Sequence, residues 1–156
     1  MAWIRVLRPG NLMIIAASIA VLRWSDSNHI PESGEYFLEM LFILPLVLLA
    51  AGGNIINDYF DIKEDRVNKP ERALVGRVLK RRIALVSHWG LSAAGLIIAG
   101  ILSVKIHTSI PFVIALIIAI ALFLYSTKFK GSVLVGNVVV ACAIASVVPF
   151  AYADSI

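Results

Sequence analysis

The stretch from Gly52 to Asp65 reads Gly-Gly-Asn-Ile-Ile-Asn-Asp-Tyr-Phe-Asp-Ile-Lys-Glu-Asp. Its amides and carboxylates recur at intervals of three and four. On a helix advancing about 100° per residue, Asn54, Asp58, Asp61 and Asp65 fall within a stripe about 60° wide, with Asn57 just beyond its edge. Like carboxylates stacked on one face repel one another, so the stripe asks for a cation. Every donor is a hard oxygen, with no His or Cys nearby, which favours Mg²⁺ or Mn²⁺ over zinc or copper. Magnesium keeps several waters and binds through one or two carboxylates plus substrate phosphates. The chemistry implied is therefore that of a phosphorylated or diphosphorylated substrate. Lys69, Arg72, Arg77, Lys128 and Lys130 are candidate partners for its charge. The structural alternative is a solvated helix end whose charges only set topology.

The elements that carry this stripe are apolar. Of the 156 residues, 60% are hydrophobic and 15% charged, and the mean hydropathy is +0.89. A soluble domain is less apolar and more charged than this, so the chain reads as an integral membrane protein in contact with lipid. Five apolar runs are visible, at 9–22, 37–56, 83–104, 108–127 and 131–153. The last four approach the length of a spanning helix, and the first needs its flanks to span. Pro45 and Pro149 lie inside runs and predict kinks. Pro111 sits near a helix start, where it is tolerated. Trp3 and Trp24 read as interface anchors. His88 and Cys142 read as packed residues within their runs.

Twelve of the fourteen basic residues fall on one side of this topology, leaving only Arg23 and Lys105 on the other. The positive-inside rule then makes the N-terminus and the aspartate stripe cytoplasmic. The net charge of +4 is explained by topology. Without a motif or aromatic platform, nucleic acid is not expected as a partner. A soluble isoprenyl diphosphate synthase is excluded by the five apolar runs. A CDP-alcohol phosphotransferase needs an Asp-Gly pair, which does not occur. A transporter would hold its charges near the bilayer midplane, whereas here they gather at the rim.

At Asn57-Asp58-Tyr59-Phe60-Asp61-Ile62-Lys63-Glu64-Asp65 the sequence resembles the UbiA superfamily of intramembrane prenyltransferases. Arg8-Pro9-Gly10-Asn11, Asn68-Lys69-Pro70-Glu71-Arg72, Tyr125-Ser126-Thr127-Lys128-Phe129-Lys130 and Gly136-Asn137 are similar to further family segments, in the same order. Ala73 departs from the proline that many members carry after the arginine. The resemblance implies an all-α membrane bundle and Mg²⁺-dependent transfer of an isoprenyl group from its diphosphate, in the cell inner membrane. It implies Asn57, Asp58, Asp61 and Asp65 as the metal site, with the three aspartates catalytic. It implies Arg72, Lys128 and Lys130 on the diphosphate, and Asn11, Asn54, Tyr125 and Asn137 as further substrate-binding positions.

The family's fold has about nine helices and a second aspartate motif. Here only Asp154 follows Glu71 among acidic residues. The expectation is a single transmembrane helical domain of about five helices, the N-terminal half of such a bundle. Prenyl transfer by residues 1–156 alone is expected to be undetectable, and a non-catalytic membrane piece is the remaining alternative. Lys69-Pro70-Glu71-Arg72 with Gly76-Arg77 looks most like the branch that transfers geranylgeranyl to geranylgeranylglyceryl phosphate. An aromatic acceptor of quinone type is the runner-up, beside haem.

Overall fold

Residues 37–60 contain no charged side chain except Glu39 until Asp58, so a helix there satisfies its backbone internally and leaves an apolar surface. The computed structural model, which describes residues 2–25, 35–68, 74–130 and 132–155, builds this segment as helix α3, Tyr36–Phe60. At 25 residues it is about 37 Å long. Before it come α1, Ala2–Leu7, and α2, Pro9–Ser25. After it come α4, Ile62–Asn68, α5, Arg81–Lys105, and α6, Ile110–Leu124. A π-helical turn, Tyr125–Phe129, leads on to α7, Val133–Ala145, and α8, Val147–Ala151. Among the described residues there is no strand, only an isolated bridge between Val75 and Leu79.

Among the described residues, four stretches are long and apolar enough to cross a membrane: Tyr36–Phe60, Arg81–Lys105, Ile110–Phe129 and Leu134–Ala151. Helix α2 has 17 residues, about 25 Å, short of the hydrocarbon core, as its short apolar run predicts. Pro45 is accommodated within α3. The last span is interrupted at Ser146, the junction of α7 and α8. Pro149 has no N–H to offer the carbonyl one turn back, which accounts for the break.

Helix α3 is the axis, touching α1, α2, α4, α5, α6 and the π-turn. Small residues let α5 approach closely. A Cβ on Gly52 would stand 3.0 Å from Ser92 Oγ, and one on Gly95 would stand 3.0 Å from the Pro45 carbonyl. Contacts this close are how helices associate in lipid, where apolar side chains gain nothing by leaving the solvent. His88 is buried against this seam, its Nδ1 3.0 Å from the Gly52 carbonyl oxygen.

The core divides in two. One part, around Phe42, Leu46, Leu49, Leu102 and Phe150, fills the end of the bundle away from the aspartates. The other, with Val6, Ile55, Ile62, Val75, Leu79 and Ala84, lies beneath them. The second part holds the start of α4 against the turn 74–79, in which Gly76 takes a positive φ of 83°. That conformation favours glycine.

Candidate active site at the aspartate-rich end of α3

The stripe does not ride on one unbroken helix. Helix α3 ends at Phe60 and α4 begins at Ile62, with Asp61 between them at ψ −1°. The hydrogen-bond ladder nevertheless continues: Asp61 N–H reaches the Asn57 carbonyl at 3.0 Å, and Asp65 N–H reaches the Asp61 carbonyl at 2.8 Å. The stripe therefore survives a small bend. Its cause is packing: Ile62 is drawn into the core below, so Asp61 is buried at the corner.

The carboxylates are answered by the chain's own cations. Asp58 Oδ1 accepts from Arg8 Nη2 at 2.5 Å. Asp61 Oδ2 is ion-paired with Lys130 Nζ and also accepts from Asn57 Nδ2 at 2.8 Å. Asp61 and Asp65 both lie near enough for their charge to bear on Asp58. Asn54 Nδ2 donates to the Leu7 carbonyl at 2.9 Å, tying α3 to the end of α1. Arg8 itself sits at φ 54°, a left-handed conformation that costs a non-glycine residue about 1–3 kcal/mol, and it directly precedes a proline. The ion pair and the Asn54 bond flank this strained residue.

Lys130 arrives through the π-turn. One extra residue in that turn changes the phase of the chain between α6 and α7. Gly136 makes room for it, since a Cβ there would stand 2.8 Å from the Phe129 carbonyl and 3.3 Å from the Tyr125 ring. Tyr125 thus packs toward α7. Lys128, Asn137 and Asn11 are exposed. Arg72 and Lys69 lie outside the described residues. Two features were not legible from residue types: Arg8 as the partner of Asp58, and the π-turn. The Arg8-Pro9 pair was the available signal for the first.

No three His, Cys, Asp or Glu side chains among the described residues stand close enough together to hold a metal ion. Magnesium needs only one or two carboxylates beside water and phosphate oxygens. Asp58 and Asp61, with the Asn57 amide, meet that requirement by donor chemistry. Their present partners, a guanidinium and an ammonium, answer the same negative charge.

An apolar cavity of about 510 Å³ opens nearby, within the range of ligand sites. Asn11 stands at its upper rim, one turn below Arg8 in α2. Ser18, Ala50, Leu122 and Val140 line its walls, and Leu22, Leu46 and Val148 its far end.

Residues 12–154 match the UbiA prenyltransferase family. The chain is 38% identical over 149 residues to "Digeranylgeranylglyceryl phosphate synthase" of Thermococcus gammatolerans, covering 95% of this chain and 50% of that protein. It is 34% identical to the protein of the same name from Thermococcus kodakarensis, covering 90% and 48%. A solved structure described as "Structural and mechanistic insights into the biosynthesis of Digeranylgeranylglyceryl phosphate synthase in membranes" superposes with a TM-score of 0.83 at 28% identity. That match covers 98% of this chain and 52% of the other. The chain spans about half the length of the curated relatives it matches. With a family model matching residues 12–154 and a relative 38% identical over 95% of its length, the chain belongs to the UbiA prenyltransferase family.

Proposed function

We propose that this chain supplies the isoprenyl diphosphate site of an Mg²⁺-dependent membrane prenyltransferase. The acceptor we propose is a lipid, geranylgeranylglyceryl phosphate, and the group transferred is geranylgeranyl. The observation that carries the reading is the pairing of Asp58 with Arg8 and of Asp61 with Lys130, above an apolar cavity in the same bundle. The names of the relatives support the choice of acceptor.

Asn57, Asp58, Asp61 and Asp65 would hold the metal, which screens the diphosphate and steadies it as a leaving group. Arg8, Lys130 and Lys128 carry the donors that a diphosphate requires. Two of them already rest on carboxylates of the site, so each can turn to phosphate oxygens without crossing the bundle. Charge-assisted bonds of this kind strengthen as negative charge develops on the leaving group. Asn11 marks where the polar head gives way to the tail. Asn54, Asn137, Tyr125 and Arg72 complete the substrate positions in this reading. The stripe faces the cytoplasm of a cell inner membrane, following the basic residues.

The test is binding of geranylgeranyl thiodiphosphate to residues 1–156 in lipid nanodiscs. Binding should require Mg²⁺ and disappear with chelation. Asp58→Asn with Asp61→Asn should abolish it; metal-independent binding, or binding unchanged in that double variant, would overturn the proposal. Residues 1–156 contain a single aspartate motif, so they are expected to bind without turning over when assayed alone. Adding back the remaining length of a relative, with lipid, aromatic or haem acceptors offered in parallel, identifies the nucleophile.

A further inference from the structure

Beside the aspartates, α4 and the start of α5 present a face that the proposed chemistry does not use. The second part of the core builds it. Ile62, Val75, Leu79 and Ala84 are buried together there. Arg66 stands one turn after Ile62 on α4, and Arg81 stands three residues before Ala84 on α5. Each arginine therefore shares a helix face with a core residue. Val75 and Leu79 pin the turn between the helices, and the Gly76 N–H donates to the Leu79 carbonyl at 2.7 Å. Gly76, Arg77 and Val78 are left exposed.

The guanidinium groups of Arg66 and Arg81 converge on Gly76. A Cβ there would stand 3.6 Å from Arg66 Nη2, 3.6 Å from Arg81 Nε and 3.7 Å from Ile62 Cδ1. Glycine leaves that place open. Among the described residues, no carboxylate forms an ion pair with Arg66 or Arg81. Lys80 and Arg82 flank Arg81, and the first turn of α5 holds no acidic residue. These cations stand at the positive end of the α5 dipole, where positive charge is disfavoured. Like charges drawn to one point repel until something negative lies between them. Two forked guanidiniums aimed at one place suit the several oxygens of a phosphate.

The surroundings indicate the source of that phosphate. Helix α5 is long and apolar enough to span, so Arg81, its first residue, lies at the depth of the lipid headgroups. Val67, next to Arg66, is 82% exposed, and Val78, in the turn, is 61% exposed. Apolar side chains standing out among cations are costly in water. They are accommodated at the boundary between headgroups and acyl chains. A basic cluster at that depth attracts anionic lipid.

We infer that Arg66 and Arg81, meeting over Gly76, bind the phosphate of an anionic lipid, with Val67 and Val78 set into the same leaflet. This site is separate from the aspartate stripe and does not rest on the diphosphate reading.

The experiment places residues 1–156 in nanodiscs of phosphatidylcholine containing a graded fraction of phosphatidic acid, and counts retained lipid by native mass spectrometry. Phosphatidic acid should be retained in preference to phosphatidylcholine, and its retention should saturate. Arg66→Gln and Arg81→Gln should each raise the half-saturating fraction by about tenfold, the worth of one charge-assisted hydrogen bond. Both side chains are exposed, so neither change opens the core. Lys63→Gln removes the same charge from α4 at another exposed position. It should shift the fraction by less than about twofold, because salt screens exposed charges that do not touch the ligand. Equal retention of the two lipids overturns the site. A loss in Lys63→Gln as large as in either arginine variant also overturns it, since a diffuse field would give that result. Glycerol phosphate in the buffer, at the same total concentration as phosphatidic acid, should leave the lipid in place. Displacement at that concentration overturns the assignment to a lipid.

Discussion

Asp58 and Arg8 form an ion pair whose arginine is 43% exposed, and pairs of that kind contribute about 1 kcal/mol or less. Asp58→Asn should therefore change the thermal unfolding of the purified chain very little, while removing Mg²⁺-dependent ligand binding. A structural role would show the reverse. Glu39 is the counterexample at the far end. It is buried, and Arg23 holds it with two bonds. Glu39→Ala leaves the largely buried Arg23 guanidinium only Asp154 and the Ala151 carbonyl, so unfolding in detergent should show a loss of up to about 3 kcal/mol. A loss below about 1 kcal/mol would mean that Asp154 alone suffices for Arg23. The aspartates could be found from the sequence because their partners in chemistry lie within eight residues on one helix face. The Arg23–Glu39–Asp154 cluster could not. Arg23 finds Glu39 across 16 residues and Asp154 across 131, and nothing in the residue types specifies that meeting.

Among the elements, α5 carries its own control. Gly90 has open space where a Cβ would go, whereas a Cβ at Gly95 would press on the Pro45 carbonyl at 3.0 Å and Leu49 Cγ at 3.1 Å. Both substitutions to Ala gain the same helix propensity. Gly90→Ala should stabilise by about 0.5–1 kcal/mol. Gly95→Ala should destabilise by about 1–3 kcal/mol, since a backbone carbonyl cannot yield as a side chain can. Chemical denaturation of the two variants side by side checks the sign. Element positions were legible from hydropathy because a spanning helix needs a long apolar run. The bend at Asp61, the π-turn and the break at Ser146 were not. Each depends on what packs beside it: Ile62 entering a core, Gly136 receiving a carbonyl, and Pro149 withholding a donor. Hydropathy registers none of these.

For the whole molecule, burial is uneven. Over half of the apolar window of α3 is buried, against about a fifth for each of the other three long spans. The direction proposed for this bundle across the bilayer, from its basic residues, is open to a labelling test. With Cys142 replaced by Ser, a cysteine at Lys80 should react with a membrane-impermeant maleimide only after permeabilisation, and a cysteine at Lys105 should react in intact cells. The opposite pattern would reverse the orientation and place the aspartates outside.

A hub near the start of the chain also has a meaning in time. Helix α3 leaves the ribosome before α5 and α6, which both pack on it, so each emerges to find its partner already made. Arg23 has a different history. Glu39 can neutralise it within one helical hairpin of synthesis, but Asp154 and the Ala151 carbonyl come more than a hundred residues later. The Arg23–Glu39–Asp154 cluster is therefore among the last contacts of these helices to form, complete only when α8 has been laid against α2. A nascent chain stopped short of Ala151 would already hold the aspartates and their cations, while Arg23 had only Glu39 to answer it.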